Sequence, residues 1–329
     1  MNASFLVKPL SVAFLCGLSI FLACTEASAQ LTAADWTSSS FGNEGECNEC
    51  DPCGTCDEDL LCDDGCNCCR RMTLFNWGRG PNLDDGSKLD EPLVTDRPDF
   101  TEASTTVGRG VNQFELGYTY THDEEGTSST RSHSYPEILW RRGILAEWLE
   151  FRLAWNYSEE RANDAGAVGN QSDSDDIYLG FKIALTPQDC WLPEMALLPQ
   201  MTIPVGGPFS AEQVLPGLNW LYSWEINDRL SLAGSTQGNQ ALDEVTGDSY
   251  LEIAQSIATG VSLTDEFGAY AEWYAFFPSS ADTARNEHYL NGGFTYLWSD
   301  DVQLDIRVGA GLNDAADDYF VGTGVSIRN

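Results

Sequence analysis

Beyond its first 23 residues the sequence lacks any continuous apolar run close to the ~20 residues that a membrane-spanning helix requires. Basic residues are scarce as well, with 17 Lys and Arg against 51 Asp and Glu and a formal net charge of −34. Because binding to phosphate backbones requires a basic surface, nucleic acid is excluded as a partner. Without a helical anchor, an exported chain is either a soluble protein or a β-barrel in an outer membrane.

Histidine is rare too, and His122, His133 and His288 all fall in or near predicted loops. The sequence contains no Gly-x-Ser-x-Gly nucleophile motif and no metal-ligand spacing outside its cysteines. Since no nucleophile, base and orienting residue are assembled, we predict no catalytic residue, no cofactor and no enzymatic activity.

The N-terminus has the pattern of a secretion signal. Lys8 precedes an apolar run from Leu10 to Ala23, and Ala27-Ser28-Ala29 forms a small-x-small cleavage site. We therefore predict a signal peptide over residues 1–29. The alternative is lipoprotein processing at Cys24, whose preceding residues match that signal poorly.

A cysteine-rich stretch follows the signal, and residues 30–92 are predicted to form an irregular periplasmic neck or linker. It holds eight of the 11 cysteines: Cys47, Cys50, Cys53, Cys56, Cys62, Cys66, Cys68 and Cys69. Their spacing fits either disulfides or a metal or iron–sulfur site. An exported chain enters an oxidising compartment, so we predict disulfides and no metal. Eight cysteines allow 105 pairings, and the connectivity stays open.

Residues 112–329 show a two-residue rhythm of apolar and polar side chains. Phe114, Leu116, Tyr118 and Tyr120 alternate with polar or small residues, and the pattern recurs in about a dozen segments. Successive side chains of a strand point to opposite faces, so each segment has one apolar and one polar face. In an exported chain this favours an all-β fold, a closed antiparallel up-and-down transmembrane β-barrel of about 12 strands. A soluble secreted β-sandwich would show the same alternation and is the alternative.

The connections alternate in length, which supports the barrel. Short Asp-containing turns such as 227–229 and 299–301 alternate with longer polar connections, which include 122–132 and 158–175. Outer-membrane barrels have tight periplasmic turns and long external loops. An even number of strands places both ends of the barrel on the periplasmic side, where the neck must be.

By parity a set of charged side chains faces the barrel lumen, because charges facing lipid at mid-membrane would cost about 2–4 kcal/mol each. The predicted lumen-lining residues are Glu115, Glu137, Arg141, Glu150, Arg152, Lys182, Glu225, Glu252, Glu272, Asp305 and Arg307. They would form either a structural network of ion pairs or contacts to a solute. Residues 93–111 precede the first strand, and their charged residues Asp96, Arg97, Asp99 and Glu102 make them a candidate lumen insert. We expect this insert to pair with Arg141, Arg152 or Arg307.

Several motifs resemble one known family. They are Thr95-Asp96-Arg97-Pro98-Asp99-Phe100-Thr101-Glu102, then Gln113-Phe114-Glu115-x-Gly117-Tyr118, then Pro136-Glu137-x-Leu139 and Glu150-x-Arg152. From Leu93 to Asn329 the chain resembles the outer-membrane family named for the MetA pathway of phenol degradation. The resemblance implies an outer-membrane transporter or channel, with small aromatic compounds as candidate solutes, and no catalytic residues.

We therefore predict a cell-outer-membrane channel for passive passage of small organic solutes. Its expected partners are outer-membrane lipid, the solute and the barrel-assembly machinery. The alternatives are a structural or adhesive barrel without transport and the soluble β-sandwich. The oligomeric state is not predicted.

Overall fold

The computed structural model describes residue 89 and residues 91–189, 191–243 and 245–329. The predicted signal peptide, the site at Cys24 and the eight clustered cysteines lie outside these residues, so their predictions stay predictions. Within the described residues, no helix is long and apolar enough to cross a membrane.

The described residues contain 13 strands joined in one sheet. They are β1 (Asn112–Glu125), β2 (Ser128–Gly143), β3 (Leu149–Asp164), β4 (Ala167–Ser174), β5 (Ile177–Thr186), β6 (Glu194–Ile203), β7 (Leu215–Asn227), β8 (Leu230–Leu242), β9 (Ser249–Ser262), β10 (Phe267–Ser279), β11 (Glu287–Ser299), β12 (Val302–Gly311) and β13 (Tyr319–Arg328). All their pairings are antiparallel.

The sheet closes on itself, because β1 pairs with β2 on one edge and with β13 on the other. The ring has twelve positions, since β4 and β5 share one of them. β5 pairs with the first half of β3, from Leu149 to Ala154, and β4 pairs with its second half, from Tyr157 to Asp164. The closed ring confirms the predicted transmembrane barrel and is inconsistent with a β-sandwich.

The predicted loops 122–132 and 158–175 were wrong. β1 and β2 continue to a turn at 126–127, and β3 and β4 continue to a turn at 165–166. Gly126 and Gly166 have φ of 64° and 95°, a conformation that glycine adopts without steric cost. These two hairpins therefore extend beyond the ring at its long-loop end.

The two faces of the wall have opposite chemistry. Exposed outward side chains are apolar along the whole ring and include Phe114, Phe181, Leu218, Ile257, Leu290, Phe294, Ile306, Val308 and Val321. The alternate positions on the inner face are buried and mostly polar, with Glu115, Arg141, Glu150, Arg152, Lys182, Asn219 and Glu272 almost fully enclosed. Lipid outside and polar contacts inside account for this arrangement.

Candidate functional site: the barrel interior and its inserted segment

Residues 91–111, which we call the inserted segment, lie inside the ring of strands. The segment starts at the short-turn end, where the Leu93 amide donates to the Asp300 carbonyl. It returns to the same end, where the Thr106 hydroxyl donates to the Glu147 carbonyl at 2.6 Å. Between these points it contacts side chains of strands on opposite sides of the ring, including Lys182 of β5 and Glu272 of β10.

Asp96 is the centre of the densest charge cluster. Its carboxylate lies 3.3 Å from Arg141 Nε, 2.8 Å from Arg152 Nη1 and 2.9 Å from Lys182 Nζ. It also accepts a hydrogen bond from the Ala103 amide at 2.8 Å. All four charged side chains are buried, so each depends on the others to offset the cost of leaving water.

Two glutamates of the barrel wall also hold this part of the segment. Glu115 accepts the backbone amides of Asp96 and Arg97 at 3.0–3.1 Å, and Arg141 Nη1 lies 3.1 Å from it. Glu150 accepts Arg141 Nε at 2.9 Å and the Val107 amide at 2.8 Å. The wall carboxylates therefore satisfy backbone donors that an irregular segment cannot pair by itself.

Arg97 occupies a hollow in the wall made by two glycines. Gly117 of β1 and Gly324 of β13 are direct partners in the sheet, and a Cβ on either one would collide with the Arg97 guanidinium. The guanidinium forms an ion pair at 2.7 Å with Glu137 and a longer one at 3.4 Å with Asp305. Arg97 thus fixes the segment to the part of the ring formed by β2, β1, β13 and β12.

A third contact joins the segment to β10. Glu272 accepts the amides of Phe100 and Thr101, each at 2.7 Å, and the Thr101 hydroxyl at 2.7 Å. Asn291 of β11 donates to the same carboxylate at 3.0 Å. With four donors, Glu272 acts as a backbone anchor for the tip of the segment.

An aromatic stack adjoins this anchor. The Phe100 ring lies 4.6 Å from Tyr274 at an interplanar angle of 11°, and Tyr274 lies 4.8 Å from Tyr289 at 15°. Phe276 and Phe320 pack edge-on against the stack. These rings form an apolar wall inside an otherwise polar lumen.

Amide side chains line the opposite wall. Tyr178 donates its hydroxyl to Gln200 at 3.0 Å, and Gln200 donates to Asn239 at 3.0 Å. Asn219 approaches Glu102 at 3.3 Å, while Glu102 also pairs with Arg152 at 2.8 Å. The neutral amides therefore continue from the charged cluster towards the long-loop end.

Two adjoining cavities occupy the interior beyond the segment. The inner one, about 610 Å³, is lined by the tip of the segment, the aromatic wall and the amides Gln200, Asn219 and Gln237. The outer one, about 1120 Å³, shares Tyr178 and Gln200 with it and reaches the loop at 204–214. A third cavity of only about 30 Å³ lies where the segment meets the short-turn end. Free volume inside the barrel is thus concentrated on the long-loop side of the segment.

The predicted site residues fall into three groups. Glu115, Glu137, Arg141, Glu150, Arg152, Lys182, Glu272 and Asp305 surround the inserted segment. Arg307 was expected to pair with a charged residue of the inserted segment. It instead donates hydrogen bonds to the Pro98 carbonyl at 3.0 Å and to the Thr119 hydroxyl. Glu225 is exposed at the short-turn end, and Glu252 lies near the long-loop end beside Tyr250. Their role as the lining of a solute path stays a prediction.

A contact between two long loops was not predicted. Asp243, which follows β8, accepts hydrogen bonds from the amide and hydroxyl of Thr283 at 2.6 and 2.7 Å. The hydrogen bonds from Thr283 hold the pKa of Asp243 well below its usual range. The carboxylate is therefore charged at neutral pH and joins the loop after β8 to the loop after β10.

The fold and these contacts define a transmembrane β-barrel whose lumen holds an N-terminal segment. The chain belongs to the family described as "Putative MetA-pathway of phenol degradation", which matches residues 95–328. No curated protein sequence matches the chain.

Among solved structures that are similar to the chain at low identity, one with a TM-score above 0.5 shares its fold. An outer membrane channel from Pseudomonas putida F1 is 11% identical, with a TM-score of 0.54 over 70% of this chain and 99% of that chain. The NanC porin is 11% identical, with a TM-score of 0.42 over 66% and 98% of the two chains. The CymD monoaromatic hydrocarbon channel is 11% identical, with a TM-score of 0.38 over 68% and 88%.

Proposed function

We propose that this protein is an outer-membrane channel for the passive passage of small organic solutes, with aromatic compounds among them. The observation that carries the proposal is the pair of adjoining cavities inside the barrel, about 610 and 1120 Å³. A structural barrel without transport could fill its interior with side chains, as small barrels do. Membership of the family described above supports the same proposal.

The inner cavity has two chemically different sides, which supports the choice of solute class. Tyr274, Tyr289 and Phe320 present apolar ring surface, and Gln200 and Gln237 present hydrogen-bonding amides. A flat ring gains contact area and stacking on the first side, while a hydroxyl or similar group is satisfied on the second. The solute is thus a small molecule with one planar apolar face and one polar group.

The inserted segment restricts passage in this proposal. Free volume is small where it meets the short-turn end, so a solute crosses only when the segment shifts or leaves space beside it. Selectivity then depends on the width of this constriction and on the charges that line it.

Current recordings from the purified full-length barrel in planar bilayers test the proposal. We expect discrete channel steps, and we expect phenol to interrupt the current more than cyclohexanol, which has a similar size but a puckered ring. Tyr274→Leu removes the stacking surface and should abolish this difference. Trp298→Leu is the matched control, because Trp298 is 70% exposed at the short-turn end.

Two results would contradict the proposal. A folded barrel that gives no steps above the empty bilayer would favour the structural or adhesive barrel. Equal interruption by phenol and cyclohexanol would leave a channel but remove the aromatic preference.

A further inference from the structure

The outer face of the barrel carries an unusual row of basic side chains across three neighbouring strands. His122 of β1 pairs in register with Arg131 of β2, and Arg131 pairs with Arg161 of β3. Tyr319 of β13 continues the row on the other side of His122. Direct register partners lie on the same face of a sheet, about 4.5–5.5 Å apart at Cβ.

This row faces outward and not into the lumen. The neighbouring positions Thr121 of β1 and Glu160 of β3 line the inner and outer cavities respectively. Because adjacent residues of a strand point to opposite faces, His122 and Arg161 point away from both cavities. Both arginines are exposed, as that orientation requires.

The two arginines differ from the cations that form charge clusters around the inserted segment. Arg97, Arg141, Arg152 and Lys182 each form ion pairs with carboxylates inside the ring. Arg131 and Arg161 stand directly opposite one another, and neither forms an ion pair within the part of the chain that the structure describes. Like charges in this position are destabilising unless an anion lies between them. In a chain with a net charge of −34, such a pair calls for an external counter-charge.

The height of the row on the barrel indicates where that anion comes from. Directly towards mid-membrane lie outward-facing tyrosines. Tyr120 comes first, with its ring 6.2 Å from Tyr319 of the row, and Tyr135 and Tyr157 are in ring contact at 5.7 Å. Outward-facing aromatic residues mark the boundary between the lipid tails and water. The arginines lie two outward positions further along β2 and β3 than Tyr135 and Tyr157, beyond His133 and Glu159, at the level that we assign to headgroups in the outer leaflet.

Two acidic side chains lie nearby but do not neutralise the pair. Glu159 accepts the hydroxyl of Tyr135, and Glu124 lies 3.9 Å from His122. His133 neighbours Tyr118, whose hydroxyl bonds to its Nδ1 at 2.8 Å. Neither Glu159 nor Glu124 forms an ion pair with Arg131 or Arg161.

We propose that His122, Arg131 and Arg161 form a binding site for the phosphate group of an anionic lipid in the outer leaflet. Each guanidinium can offer two parallel N–H groups to phosphate oxygens, a geometry that a lysine could not match. The tyrosines below would pack against the upper part of the same lipid. The site rests on the barrel spanning the membrane and does not depend on solute passage.

The test compares the full-length wild type with Arg131→Gln/Arg161→Gln in vesicles of phosphatidylcholine alone or with added phosphatidic acid, the probe lipid. Native mass spectrometry counts bound phosphatidic acid, and heat-modifiable gel mobility reports the temperature of unfolding. Two basic side chains at an anionic surface each contribute roughly fivefold, so we expect about a 25-fold loss of affinity in the variant. Arg229→Gln/Arg285→Gln removes the same charge elsewhere and should bind as the wild type does.

Three results would overturn the inference. Equal binding by the wild type and Arg131→Gln/Arg161→Gln would show that the row is not the site. An equal loss of phosphatidic acid binding in Arg229→Gln/Arg285→Gln would show that binding depends on the total charge of the protein and not on this row. Protection of the wild type by inorganic phosphate in pure phosphatidylcholine, to the same extent as by phosphatidic acid, would assign the site to free phosphate and not to a lipid. The unfolding temperature in pure phosphatidylcholine confirms that each variant is folded.

Discussion

Replacing Asp96 with Asn should release the inserted segment while leaving the barrel intact. The substitution keeps the shape of the side chain but removes the charge that three buried cations share, Arg141, Arg152 and Lys182. Breaking a buried ion pair by removing one partner costs about 3–5 kcal/mol.

The lower end of that range applies here, because other carboxylates remain in the cluster. Glu150 still faces Arg141 at 2.9 Å, and Glu102 still faces Arg152 at 2.8 Å. The ladder hydrogen bonds of the strands do not involve Asp96, so the cost falls on the docked state of the segment. A loss of about 3 kcal/mol corresponds to a shift of about 150-fold in the docking equilibrium.

Glutamyl endopeptidase provides a direct assay, since the segment contains Glu102, which is partly buried while the segment is docked. We expect Asp96→Asn to be cleaved after Glu102 about 150-fold faster than the wild type, and to show longer open periods in single-channel recordings. Cleavage depends on the population of the undocked state when docking is fast.

Asp99→Asn is the matched control within the same segment. Asp99 lines the inner cavity and forms no ion pair with the described residues. It should therefore leave cleavage nearly unchanged. The reasoning fails if the two variants are cleaved at the same rate while both retain heat-modifiable mobility, because the charge cluster would then not be what holds the segment.

Three further predictions follow from the same contacts. Phe100→Ala removes one ring of the aromatic stack at a cost of about 2 kcal/mol, so cleavage after Glu102 should rise about 30-fold. Gly117→Ala places a methyl group where the Arg97 guanidinium lies and should likewise raise cleavage, whereas Gly169→Ala, which meets open space, should not. Asp243→Asn should speed proteolysis of the loop at 243–248 at neutral pH. The pKa of Asp243 is lowered in the folded protein, so the contact between the two loops is fully formed at any pH above the usual carboxylate pKa. The contact should weaken only as the pH falls through the lowered pKa. Proteolysis of the loop with an acid protease would measure this loss.

The strands were the most predictable part of the fold. About a dozen alternating segments were predicted, and the ring has twelve strand positions. Lipid on one face and polar contacts on the other impose a strict period of two within the membrane, and that period is visible in the sequence. The closed ring follows from it, because open sheet edges are not tolerated in lipid.

The hairpin extensions at 122–132 and 158–175 were missed for the same reason. Beyond the membrane both faces of a strand can meet water, so polar residues occupy both and the alternation disappears. Arg131 and Arg161 lie in these stretches, and only their register in the structure shows that they are neighbours. A composition rich in Ser, Asp and Gly cannot distinguish such a hairpin from an irregular loop.

Parity gave an expectation of which charges face inward, and it gave none of what each one contacts. The inserted segment has no periodicity, and its path depends on where Glu115 and Glu272 can accept its backbone amides. The hollow formed by Gly117 and Gly324 could not be predicted from the sequence either. It forms only when β1, the first strand of the barrel, pairs with β13, the last. Contacts of this kind are set by closure of the ring and not by local sequence.

The scarcity of basic residues helps to explain where the buried and exposed cations of the barrel lie. In a chain with 17 basic against 51 acidic residues, each cation held in the interior lowers the repulsion among carboxylates that the barrel encloses. Arg141, Arg152 and Lys182 meet that need only when Asp96 and its neighbours are present, so the wall and the inserted segment stabilise each other. A cation left on the outer surface does nothing for this balance. Arg131 and Arg161 form no ion pair within the described residues, and in our proposal their counter-charge comes from the membrane surface that surrounds the barrel.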